Sequence, residues 1–178
     1  MAAGINLWSI GHGTVALEVF VAYVRDAGIE RLVDVRRFPG SRRNPQFATE
    51  PLENALAQAG IAYAHAVDLG GRRRPGPDSP NTGLRNAGFR GYADWMRGEE
   101  FRAAFEWLAA SAARPRTVVM CAETPWWKCH RRLIADAAVL LVSANVTHLV
   151  SGRRIVHALT PGVAIDQTGR LLYALGQI

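Results

Sequence analysis

The sequence is poor in lysine and cysteine and has no long apolar run. Lys128 is the only lysine among 21 basic residues, so arginine supplies the other 20. Cys121 and Cys129 are the only cysteines. A small secreted fold held by disulfides would use more. The seven residues between them match neither a redox nor a zinc C-x-x-C pair. No apolar stretch nears the roughly 18 residues of a membrane span. Met1 to Leu7 lack a basic start followed by a long apolar stretch, so a secretory signal and a membrane partner are not expected and a cytoplasmic location is.

What is present fits one domain over residues 1–178. Apolar residues make up 49% and charged residues 20%, which is enough to build and solvate one core. The net charge of +6 is unevenly spread. Between Arg36 and Arg90, nine arginines face four acids (Glu50, Glu53, Asp68, Asp78), which accounts for +5 of it. Base composition of a genome explains arginine over lysine but not this local excess. A planar guanidinium suits phosphate oxygens, so the expected partner is a nucleic acid or a nucleotide.

Short apolar runs alternate with amphipathic segments. Leu7 to Ile10, Leu32 to Val35, Ile61 to Ala66, Thr117 to Met120 and Val146 to Val150 read as five strands. Leu17, Phe20, Val21 and Val24 make a helical stripe after a Thr14 cap, ended by Gly28. Leu52, Ala55, Leu56 and Ala59 make another after Thr49, ended by Gly60. Tyr92 to Ala113 reads as helix broken at Gly98, and His130 to Val142 as helix facing inward with Leu133, Ile134, Ala137 and Leu141. Leu69 to about Arg90 is a long loop with five glycines, three prolines and five arginines. The tail, Leu159 to Ile178, is expected to add a turn and a short strand at Leu171 to Tyr173. This order predicts a three-layer α/β domain, with a mostly parallel central sheet of about five strands and helices on both faces.

In such sheets ligands bind beyond the carboxyl ends of the strands. Those ends carry Gly11-His12-Gly13, Asp34-Val35-Arg36 and Cys121-Ala122-Glu123, and if the strands are neighbours the groups meet in one crevice. His12, Asp34, Cys121 and Glu123 are therefore the candidate catalytic residues: imidazole and carboxylates for acid–base work, a thiol for nucleophilic attack. Arg36 lies two residues beyond Asp34 on the same side of the strand, as an ion pair or an anion clamp. The candidate phosphate or nucleic-acid binders are Arg36, Arg42, Arg43, Asn44, Gln46, Arg90, Tyr92, His130 and Arg131. They combine cations, amides and aromatics with a helix amino end. A phosphatase C-x5-R loop would need arginine at 127, where Trp127 stands. Cys121, Cys129 and His130, with Glu123 or His12, are zinc-ligand types, but their spacing matches no familiar signature, and no metal site is assigned. The cofactor, if any, is not identified.

Ser9-Ile10-Gly11-His12, Asp34-Val35-Arg36, the run from Phe38 to Phe47, Leu69-Gly70-Gly71, Gly88-Phe89-Arg90-Gly91-Tyr92, Met120-Cys121-Ala122-Glu123 with Cys129-His130-Arg131, and Leu159-Thr160-Pro161-Gly162 closely resemble the family called domain of unknown function 488. Arg72 to Asn86 departs from its pattern. The resemblance implies an α/β fold and a site built from these motifs, and no reaction. Three readings remain open: an enzyme cleaving a phosphodiester or N-glycosidic bond in a nucleic acid or nucleotide, a small-molecule enzyme with Cys121 as nucleophile, and a non-catalytic nucleic-acid-binding module.

Overall fold

A computed structural model describes residues 4–40 and 42–174. The elements, in chain order, are β1 (Asn6–Gly11), α1 (Leu17–Asp26), β2 (Arg31–Asp34), α2 (Thr49–Gln58), β3 (Ala62–His65), α3 (Ala87–Met96), α4 (Glu99–Ala113), β4 (Thr117–Cys121), α5 (Arg131–Val142), β5 (Asn145–Val150), β6 (Arg153–Val156), β7 (Val163–Ile165) and β8 (Leu171–Tyr173). The main sheet runs β3-β2-β4-β1-β5-β6, parallel except for β6. It is the expected α/β architecture with six strands rather than five.

Alternation along the strands builds two cores. Leu32, Val118, Met120 and Ile10 project to one face, against Phe20 and Val24 of α1 and Leu52 and Leu56 of α2. Val33, Val35, Val119 and Leu7 project to the other, against α3, α4 and α5 through residues such as Tyr92, Phe105 and Leu133. β4 is buried at every position, as its unbroken apolar run and central place require.

Local departures from the sequence reading have physical causes. Thr14 does not cap α1, which begins after Ala16, and Thr49 is the first residue of α2 rather than its cap. The helix expected from Tyr92 starts at Ala87, because the Asn86 side chain accepts a hydrogen bond from the Phe89 amide. Arg90, expected at the end of the loop, therefore lies in the helix with Tyr92. Leu141 is exposed, on the outer side of α5. β6 is exposed at all four residues and offers no alternating pattern to read. β8 was expected, but its pairing with β7 in a separate two-stranded sheet was not. Residues 175–178 of the expected tail lie outside the described residues.

The long loop is held by its own side chains. Asp94 of α3 accepts from the Gly76 amide, the Ser79 hydroxyl and the Asn81 side chain. The Arg73 guanidinium lies 3.6 Å from the centre of the Trp95 ring. The tail is fixed from the other side by Asp136 of α5, which accepts from His157, the Thr160 amide and the Tyr173 hydroxyl. Among the described residues no helix is long and apolar enough to cross a membrane.

Candidate active site

The carboxyl edges of β2, β4 and β1 are adjacent, as the crevice rule requires, but their polar groups divide between the two faces. Residues paired across a parallel sheet project the same way, and successive residues alternate. Asp34 pairs with Met120, and so does Ile10. Asp34, Arg36 and His12 thus share the α1–α2 face. Cys121 pairs with Gly11 and belongs to the face covered by α5. The single crevice expected from the sequence is two neighbouring clusters.

The first cluster is a closed polar network. Asp34 accepts from the Arg36 amide (3.0 Å), from Arg36 Nε (2.9 Å) and Nη2 (2.6 Å), and from the Tyr63 hydroxyl (3.0 Å). Burial, then the Asp34 charge, pushes the Tyr63 hydroxyl well above its ordinary pKa, so it stays a donor. The His12 ring stacks on Phe47 with centroids 4.1 Å apart. Its Nδ1 lies 2.8 Å from the Gly13 carbonyl. A carbonyl only accepts, so Nδ1 carries the proton and Nε2 is left to accept from Arg36 Nη1 at 3.4 Å. Burial lowers His12 to about 4. At neutral pH it is an uncharged acceptor within a scaffold. A hollow lined by His12, Tyr23, Thr124 and Arg154 lies beside it.

The second cluster floors a cavity of about 310 Å³, a size that suits a small ligand. Cys121, at the end of β4, meets Cys129 and His130 at the start of α5. Their sulfurs and one ring nitrogen all lie within 4.8 Å of one another. His130 Nε2 donates to the Val35 carbonyl at 3.0 Å, which fixes the tautomer. The Nδ1 lone pair is therefore turned to Cys129 Sγ (3.6 Å) and Cys121 Sγ (4.0 Å). The buried Arg131 donates through Nε to Cys129 Sγ at 3.4 Å, through Nη1 to Ser9 Oγ at 2.9 Å, and through Nη2 to the Glu123 carbonyl.

The two thiols are driven apart in acidity. Burial alone would raise Cys129, but the hydrogen bond with Cys121, the adjoining His130 ring and the Arg131 charge outweigh it and hold it well below the ordinary value. That same hydrogen bond, then burial, raises Cys121. The more acidic sulfur is therefore Cys129, not the Cys121 singled out as nucleophile from the sequence.

Around this floor stand Arg36, Arg37, Arg72 and Lys128, with Phe38, Phe89, Asn86 and Glu123. Of the residues expected to bind phosphate, Arg36 and His130 line this cavity, and Tyr92 backs it with its hydroxyl donated to the Leu69 carbonyl (2.7 Å). Arg42 and Arg43 are exposed on the loop before α2, outside the cavity lining. Asn44 is half-buried there, and Gln46 donates to the Val15 carbonyl. Arg90 is half-buried on α3, and Arg131 is wholly inside. Arg37, Phe38, Arg72, Asn86, Phe89, Lys128 and Cys129 were not assigned to the site from the sequence. Phe38, Phe89 and Cys129 lie in the family motifs and Cys129 is a metal-ligand type, but the convergence of all seven on one cavity depends on segments far apart in sequence.

Gly71 also shapes the floor. A Cβ there would sit 2.7 Å from His130 Nδ1. Gly71→Ala is expected to cost about 1–3 kcal/mol through overpacking and to displace the imidazole. Gly40→Ala, where a Cβ meets nothing within 4 Å, is expected to be silent. Urea denaturation of both variants checks this, and equal midpoints would refute the close approach.

The model of the family described as Domain of unknown function DUF488 matches residues 16–138, more than two thirds of the chain. No curated protein and no solved structure matches.

Proposed function

Because the chain belongs to the DUF488 family, whose name assigns no reaction, we propose from the site itself that the protein is an enzyme acting on a nucleotide or a nucleic-acid end, hydrolysing a phosphodiester or N-glycosidic bond above Cys121, Cys129 and His130. The observation that carries this reading is the cavity wall. Four cations, two phenylalanines and one amide surround two sulfurs and an imidazole. The Arg36 charge is already engaged by Asp34, which leaves Arg37, Arg72 and Lys128 to meet phosphate. Phe38, 60% exposed at the rim, offers a face on which a base stacks. Glu123, an acid–base candidate alongside His12 and Asp34, is the carboxylate on the same wall, and the acid–base role falls to it.

The test is titration with the four nucleoside monophosphates and a short 5′-phosphorylated oligonucleotide at several salt concentrations. Affinity is expected to fall steeply with salt. Arg72→Ala and Lys128→Ala should each weaken binding about tenfold, the size of one lost charge-assisted hydrogen bond. Binding that ignores salt and both substitutions, or no binding at all, overturns the reading.

A further inference from the structure

We propose that Cys121, Cys129 and His130 bind one zinc ion, with its fourth coordination position open to the cavity. In a tetrahedral site with Zn–S near 2.3 Å and Zn–N near 2.0–2.1 Å, sulfur and nitrogen ligands stand about 3.6 Å apart. The two sulfur–Nδ1 separations are 3.6 and 4.0 Å. Three donors are thus spaced for one small ion with little movement of the chain. Two thiolates and an imidazole form a soft set that selects zinc over magnesium or calcium.

The surroundings are built for ligation as well. The Val35 carbonyl holds the outer nitrogen of His130 and turns the inner lone pair inward, as the second shell of a metal-bound histidine does. Arg131, fixed by Ser9 and the Glu123 carbonyl, donates to Cys129 sulfur and steadies it as a thiolate. Three protein ligands and an open position are the pattern of catalytic rather than structural zinc. Glu123 lines the same cavity as these three ligands. A water held there would be acidified toward neutrality and directed at a bound substrate. The ligands sit on a strand end and a helix start, joined by a loop folded through a short turn at Trp126–Lys128. Sequence spacing alone therefore does not reveal them.

This inference deepens the hydrolytic reading, but its measurement is independent. The full chain, reduced and freed of metal, is titrated with Co²⁺ and then Zn²⁺. One Co²⁺ per chain is expected, with an intense thiolate-to-cobalt charge-transfer absorption and d–d bands of tetrahedral strength, all displaced by one equivalent of Zn²⁺. Cys121→Ala, Cys129→Ala and His130→Asn should each weaken Zn²⁺ binding more than about 100-fold, with circular dichroism reporting whether each variant folds. Azide or AMP should shift the d–d bands by entering the open position. A folded wild-type chain without the charge-transfer band overturns the site, as does a band that persists in the double cysteine variant. Bands that ignore both azide and AMP overturn the open position. Zinc binding without nucleotide affinity would leave the ion and remove the proposed substrate; nucleotide affinity without the cobalt band would do the reverse.

Discussion

Asp34→Asn is expected to cost about 3–5 kcal/mol, because a buried guanidinium then loses its charge partner. Asp34 is wholly buried, and Arg36 is 5% exposed. With an amide at 34, Arg36 keeps a hydrogen-bond acceptor but not a counter-charge. Such a loss is a large share of the 5–15 kcal/mol typical of a domain. Joint replacement of Asp34 by leucine and Arg36 by methionine should recover part of it, since neither charge then remains inside. Urea denaturation reads the energies, and nucleotide titration of the folded fraction reads the role. Binding is expected to stay within about threefold of wild type, as phosphate contact falls to Arg37, Arg72 and Lys128. Wild-type stability in Asp34→Asn would refute the scaffold reading. A folded variant without nucleotide binding would move the acid into the active site.

Much of the architecture was legible because strands here are short apolar runs and helices carry stripes at helical spacing. The carboxyl-edge rule then picked out segments 11–13, 34–36 and 121–123 without reference to a motif. It could not assign them to faces. The face on which a residue lies depends on parity along its strand and on register between strands as distant in sequence as those of Asn6 and Asn145. A shift of one position separates Cys121 from His12 and Asp34, and that position is set by the pairing of Gly11 with Cys121. The arginine excess was visible, but not which arginines turn inward. Arg131 reads like its neighbour Arg132, yet one is buried on a sulfur and the other donates to the Thr160 hydroxyl at the tail.

Asp136 shows a signal that was present and unread. It stands within the apolar face of α5, between Leu133 and Ala137, and a carboxylate there needs partners. Those partners come from the tail: His157, Thr160 and Tyr173. His157 in turn contacts His148 at 3.0 Å, and Trp126, in the turn that shapes the thiol cavity, stacks on His148 with centroids 4.1 Å apart. The loop between Cys121 and Cys129 is thereby tied to the strand β5 and to the tail. Its position is set by packing on the far side of β1 as much as by its own sequence.

His148 and His12 together make folding stability strongly dependent on acid. Burial lowers His148 to about 3, helped by His157, and lowers His12 to about 4. His157 Nε2 donates to Asp136, so its Nδ1 accepts from His148 Nε2, and His148 Nδ1 is buried without a partner in the described structure. In the unfolded chain both histidines titrate near 6.5. Above that pH they are neutral in both states, and their contribution to stability is complete. Below it the unfolded chain takes up protons that the native state refuses, so stability falls as pH falls. The slope is about 1.4 kcal/mol per pH unit for each group. The loss from His12 ends near pH 4, and that from His148 continues toward 3. By pH 4 the combined loss is on the order of 5 kcal/mol, enough to bring a marginal domain to its acid midpoint. Denaturation midpoints measured from pH 7.5 to 4 check the slope. His12→Asn and His148→Phe should each flatten it by about half, whatever they do to stability at neutral pH. Titrating carboxylates would act equally on wild type and variants, so a slope unchanged by both substitutions would show that the two buried imidazoles are not its source.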